Sequence, residues 1–318
     1  MTPILVCGRV QPAAIRLRRP CRRCIHESEL TETVTMKTSG IAGFPPAPAS
    51  DAEADLQWAI GAINHGRFED AERFARNVVA RLPQHPRALY VLGCALLQQH
   101  RAAEAIPPLE RAARAVQDAA VETQLGIALR QVGRIDDALL RLTRATKRRP
   151  VHAEAFHELG FLLNAQNRSD EAVTVIDRGL QLAPGCVELL ILLGVVHHTR
   201  RRHAEAKAAF ARALAVAPHH PGAHYGMGAA LADGADYASA AEHLQRVLAV
   251  DGADVQARLK LAVCLLEIGR SDEALENLRA AIRADPSLYG VALTLISSAG
   301  RGRFWLRPSD AAKQLAPH

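Results

Sequence analysis

Three groups of side chains in this 318-residue chain are of types that bind metals, move protons or grip phosphate. The first is Cys21-x-x-Cys24-x-His26, three zinc-type ligands in six residues, with Cys7 as a conceivable fourth. Zinc sites usually bring two ligand pairs with a structured knuckle between them, and the second pair is missing here. The motif reads as an incidental thiol pair in a basic tail. The second group is histidine: His197-His198, His203, and His219-His220 with His224. No Cys or carboxylate stands at ligand spacing beside the last three, so His219 and His220 fit solvated turn residues and His224 a groove-lining or packing residue. The third is basic, Arg200-Arg201-Arg202 and Lys147-Arg148-Arg149, and both triplets fit solvated turns better than phosphate clamps. The sequence holds no glycine-rich phosphate loop, His-Glu-x-x-His, nucleophile elbow or dinucleotide fingerprint. The expectation is a non-enzyme with no catalytic residue, no metal and no cofactor.

The elements that would carry these residues repeat. Ala71, Ala105, Ala138, Ala172, Ala206, Ala240 and Ala274 recur in steps of 34, 33, 34, 34, 34 and 34 residues. Ahead of each stands a large-then-small pair: Trp58-Ala59, Leu92-Gly93, Leu125-Gly126, Leu159-Gly160, Leu193-Gly194, Met227-Gly228 and Leu261-Ala262. The small residue lets one helix approach the next closely, and the marked alanine faces the same contact. Behind it, Leu109, Leu142, Ile176, Phe210, Leu244 and Leu278 fill the space between successive hairpins at helical spacing. Pro83, Pro150, Pro184, Pro218 and Pro286 close five units, because proline lacks a donor and disfavours helix in the residue before it. Turns such as Asn64-His65-Gly66-Arg67, Val132-Gly133-Arg134, Gln166-Asn167-Arg168-Ser169 and Ile268-Gly269-Arg270 supply Gly or Asn for a left-handed backbone.

A fixed period of this length is the mark of stacked helical hairpins. The set of residues resembles the tetratricopeptide repeat family over residues 52 to about 288. Departures are mild: Trp58 takes the usual leucine place, His197 replaces an apolar residue, and the second unit is one residue short. The resemblance implies an all-α, right-handed α-solenoid of about seven helix–turn–helix repeats. The units fall near 52–85, 86–118, 119–152, 153–186, 187–220, 221–254 and 255–288. Residues 287–300 are expected to form a capping helix, started by Ser287 and running through Leu288, Val291, Ala292 and Leu295.

Charge separates the array from its ends. The net charge is +6 overall, +4 in residues 1–50 and +3 in 301–318, leaving −1 for 51–300. The repeats therefore lack the uniform basic stripe of a nucleic-acid binder, and no nucleic acid is expected. Residues 1–50 read as a disordered basic and Pro-rich segment, and Met36 is a candidate true start. No apolar run approaches the ~20 residues of a membrane span, and neither Met1 nor Met36 is followed by a secretory signal. Cytoplasmic localisation in a GC-rich bacterium is expected from this and from the Ala/Arg-heavy usage. Residues 301–318 form a basic aromatic tail in which Phe304 and Trp305 either seal the cap or dock elsewhere.

In the family that this chain resembles, helix-A positions 2, 5, 9 and 12 of each unit line the concave face. Those positions include Arg87, Tyr90, Cys94 and Leu97, then Thr123, Ile127 and Arg130. They continue through Glu154, His157, Phe161 and Asn164 to Glu188, Ile191, Val195 and His198, and end at Tyr225, Ala229 and Ala232. The candidate peptide-binding residues are Arg87, Tyr90, Thr123, Ile127, Arg130, His157, Phe161, Asn164, Ile191, His198 and Tyr225. The Lys/Asn clamp by which some family members hold a terminal carboxylate is not matched, since Lys260 and Asn164 stand alone. The expected function is a non-catalytic adaptor binding a peptide segment of a partner protein in this groove, with no small-molecule substrate. The alternative is an accessory repeat module of a glycosyl- or sulfotransferase-linked system, with catalysis on another chain.

Overall fold

A computed structural model describes residues 52–298 together with Lys313 and Leu315. Among the described residues every regular element is helical. The chain divides into two compact units between Arg200 and Arg201.

The first unit holds α1 (Ala52–Asn64), α2 (Phe68–Arg81), α3 (Pro86–Gln98), α4 (Ala102–Ala115), α5 (Ala119–Gln131), α6 (Ile135–Ala145), α7 (Ala153–Ala165), α8 (Ser169–Leu182) and α9 (Val187–Thr199). The second holds α10 (His203–Val216), α11 (Pro221–Asp233), α12 (Tyr237–Val250), α13 (Val255–Glu267), α14 (Ser271–Ala284), a short 3-10 turn at Pro286–Leu288 and α15 (Tyr289–Ser298). Odd-numbered helices are A helices and even-numbered ones B helices. None is long and apolar enough to cross a membrane.

Each A–B turn is held by one residue in the left-handed region: Gly66, His100, Gly133, Asn167, Arg201, Ala235 and Gly269. Glycine meets this demand without strain and asparagine tolerates it. The next residue enters the B helix. At five of these entries it is an arginine whose guanidinium bonds the carboxylate three residues on: Arg67–Asp70, Arg101–Glu104, Arg134–Asp137, Arg168–Glu171 and Arg270–Glu273. Several A helices use side-chain caps instead. Asp118 accepts from the backbone N–H of Ala120 and Val121, and Asp254 from that of Ala257.

The repeated small residues do what their spacing implies. A Cβ on Gly93, Gly126 or Gly160 would lie 2.4, 2.6 or 2.8 Å from a side-chain carbon of Leu109, Leu142 or Ile176 on the paired B helix. The marked alanines Ala71, Ala105, Ala138, Ala172, Ala206, Ala240 and Ala274 are all fully buried. Truncating a buried leucine in such an interior costs about 2–5 kcal/mol.

Within the first unit each A helix packs on the next A helix, α1 on α3 through α7 on α9, whereas each B helix packs on its flanking A helices and on no other B helix among the described residues. The A helices therefore form the tighter layer, and their outward positions share one surface. In the second unit the A helices α11, α13 and α15 stack in the same way. Its core gathers Leu244, Leu261, Leu265, Leu278, Ala292 and Ile296, and Leu315 joins that cluster at 2% exposure. Asp285, rather than Ser287, accepts the capping bond here, from the backbone N–H of Ser287, and the helix proper starts at Tyr289. Ala292 and Ile296 face inward while Val291 is exposed, as one apolar stripe of a terminal helix requires.

Candidate functional site

The A-helix layer of the first unit carries most of the candidate residues. Phe161 on α7 is the large apolar side chain there that remains open, at 39% exposure. Arg130, from α5, lays its guanidinium 5.3 Å from the centre of the Phe161 ring, a cation–π contact across two A helices. Arg130 also pairs with Glu158 at 3.3 Å, and the His157 imidazole bonds the other oxygen of Glu158 at 3.3 Å. Burial pulls the Glu158 carboxyl upward, but the His157 hydrogen bond and the charges of His157 and Arg130 outweigh it and hold the group below its ordinary value. Arg130, His157 and Phe161 are thus one cluster, joined by a residue the repeat positions did not single out. The signal for Glu158 was its place beside His157, one turn before Phe161.

A second cluster lies where α3, α5 and α7 adjoin. Cys94, negative only at the high pH where the phenol itself would ionise, together with burial and the Glu154 and Asp118 carboxylates, pushes the Tyr90 phenol well above its ordinary value. Burial pushes the Cys94 thiol up to about 12, so it is a neutral, unreactive group. Glu154 reaches from α7 to the Gln124 amide on α5 at 3.3 Å and accepts from His152 at 3.1 Å.

The remaining candidates separate. Thr123 is fully buried, its hydroxyl donating to the Ala119 carbonyl at 2.7 Å, and Ile191 is 6% exposed. Both are closed to solvent and shape the layer from inside instead of presenting a side chain. Asn164 accepts from the Ser169 hydroxyl at 2.9 Å, which ties the α7–α8 turn. Ile127 and His198 are half-buried and Arg87 is exposed. Tyr225 belongs to the second unit, where burial and the Asp254 carboxylate raise its phenol.

His224, His219 and Arg200, from the chemistry-bearing groups of the sequence, fall at packing and turn positions. His224 is buried and bonds the Pro218 carbonyl through Nε2 and His243 Nδ1 through Nδ1, at 2.9 and 2.8 Å. His219 is exposed, and Arg200 pairs with Asp170 on α8. The Cys21/Cys24/His26 set, Met36, Phe304 and Trp305 lie outside the described residues.

The architecture has many solved counterparts. The pilF protein of Pseudomonas aeruginosa is 21% identical with a TM-score of 0.56, over 63% of this chain and 92% of that one. A chain of the APC/C Cut9–Hcn1 hetero-tetramer is 18% identical with a TM-score of 0.60, over 67% of this chain and 43% of that one. Human IFIT1, seen as a dimer with m7Gppp-AAAA, is 14% identical with a TM-score of 0.62, over 78% of this chain and 63% of that one. At these identities the likeness is one of fold. No curated protein sequence matches the chain significantly. The family model described as tetratricopeptide repeat matches residues 56–120, 123–186, 162–221, 191–248 and 225–289. With helix pairs in register across those matches, this chain belongs to the tetratricopeptide repeat family.

Proposed function

We propose that this chain is a non-catalytic scaffold that holds an extended peptide segment of another protein on its A-helix layer. The fold is a protein-interaction module, and the Phe161 ring carries the more specific reading. A large apolar side chain left 39% open among A helices, beside an arginine whose charge is already matched by Glu158, is a seat for an apolar side chain. A bare guanidinium would have favoured a carboxylate or phosphate. The carboxylates Glu154, Glu158 and Glu188 on the A helices α7 and α9 disfavour a nucleic-acid backbone, although one solved counterpart, human IFIT1, is seen with m7Gppp-AAAA.

The test is affinity capture with the full chain, repeated with Tyr90→Ala, Phe161→Ala and Tyr225→Ala. Loss of a partner with helicity retained in circular dichroism is the expected result. Unchanged capture by all three variants would overturn the proposal.

A further inference from the structure

The charges around the Phe161 seat are unequal, and that inequality specifies more than an apolar occupant. Arg130 and Glu158 neutralise each other. Glu154 pairs with no Lys or Arg among the described residues. Its partners are the Gln124 amide and the His152 imidazole, and its side chain keeps 30% of its surface open. Its field reaches Tyr90 and Cys94 on α3, together with that of Asp118 in the case of Tyr90. Glu154 is therefore a partly open carboxylate with no Lys or Arg paired to it among the described residues, and its surroundings are biased negative. That favours a cation.

Glu154 and Phe161 are seven residues apart on α7, two turns along one face. Two turns amount to about 10.5 Å of rise, close to one turn of an extended polyproline II chain, which advances about 3.1 Å per residue and returns to the same side every third residue. Building on the peptide reading above, we infer that the partner segment is extended and carries an apolar side chain for the Phe161 ring and a lysine or arginine three positions away for Glu154. Arg87, exposed one turn before Tyr90, is the one feature on α3 that opposes a cation, and among the described residues it makes no ion pair to hold it in place.

The probe is a displayed library of random twelve-residue peptides panned against the full chain, against Phe161→Ala, and against Glu154→Lys and Glu154→Gln. Helicity measurements accompany each variant. The inference predicts that the wild-type chain enriches an apolar residue spaced three from Lys or Arg. Glu154→Gln weakens the selected peptides about two- to fivefold and Glu154→Lys about tenfold, as expected for one partly exposed charge pair lost and then reversed. Glu154→Lys should then enrich Asp or Glu at the same spacing. Enrichment of apolar residues with no charge preference, lost in Phe161→Ala, would overturn the inference and leave the scaffold reading standing. No enrichment over Phe161→Ala would overturn both.

Discussion

The ring of Phe210 on α10 fills the space that a side chain at position 226 would need. A Cβ built on Gly226 of α11 would lie 2.3 Å from Phe210 Cε1 and 2.4 Å from Cζ. The other units place Leu or Ile at the position of Phe210, or Ala75 in the first, and none has glycine at the place of Gly226. The two residues are a matched pair: the larger ring is accommodated by deleting the opposing side chain.

Gly226→Ala should accordingly destabilise the second unit by about 2 kcal/mol, the cost of forcing a methyl group into a packed interior. Phe210→Leu alone opens a gap and should also destabilise. The double variant should be more stable than the sum of the two losses predicts, by about 1 kcal/mol or more, because the changes share one space. Urea denaturation of the four proteins gives the cycle, and strict additivity would refute the pairing.

The left-handed turn positions give a cleaner case, since nothing crowds them. A Cβ added to Gly66, Gly133 or Gly269 would meet no atom within 4 Å, yet each of these glycines holds φ between +73° and +83°. His100, Arg201 and Ala235 hold the same region with a Cβ, at φ values of 61°, 57° and 61°. Replacing any of these three with glycine should stabilise by about 0.5–1 kcal/mol, the relieved strain less the added entropy of the unfolded chain. Gly133→Ala should cost about 1 kcal/mol by the same logic. Melting temperatures that move in the opposite directions would show that the turns relax away from this geometry.

These turns also mark how far the sequence could be read. The alanine period and the large–small pairs report packing that every hairpin must satisfy, so the helices were legible from residue types alone. Gly66, Gly133, Asn167 and Gly269 were legible for the same reason. His100, Arg201 and Ala235 occupy the identical backbone state with residues that do not advertise it, because only their place in the repeat forces them there. The candidate site follows the same division. Phe161 is open and lies beside Arg130, whereas Thr123 and Ile191, taken from the same set of repeat positions, are buried. Glu158 has no fixed role at its repeat position, and only the cross-helix approach of Arg130 gives it one.

That Arg130–Glu158 pair should be visible in the pH dependence of stability. The folded-state pKa of Glu158 lies below its ordinary value, so the unfolded chain binds the proton more readily. The stabilisation is then complete above the unfolded-state pKa and is lost as pH falls through the folded one. Glu158→Gln should cost about 1–3 kcal/mol at neutral pH, by leaving Arg130 and His157 without their acceptor charge. The gap between wild type and variant should narrow in acid, below the ordinary carboxylate range. Parallel stability curves from pH 7 down to pH 3 would refute the assignment.

The His224–His243 bond in the second unit carries the opposite sign. The Pro218 carbonyl can only accept, so Nε2 of His224 holds its proton and Nδ1 must accept from Nδ1–H of His243. Neutral imidazoles satisfy both bonds. Burial, then the charges of His224 and Arg246, depress the His243 pKa below the ordinary value of 6.5. A histidine depressed in the folded state binds protons better when unfolded, so stability is full above pH 6.5 and declines as pH falls below it toward the folded value. Melting temperature should drop between pH 7.5 and about pH 5.5 in the wild type, across the range where an ordinary histidine titrates. His243→Gln keeps an amide donor for His224 Nδ1 and removes the titration, so its melting temperature should be flatter over that interval. His243→Ala should lose about 1–3 kcal/mol at every pH, because it strands a buried ring nitrogen. A wild-type curve as flat as that of His243→Gln would mean that the pair exchanges no proton on unfolding, and the bond as drawn would have to be discarded.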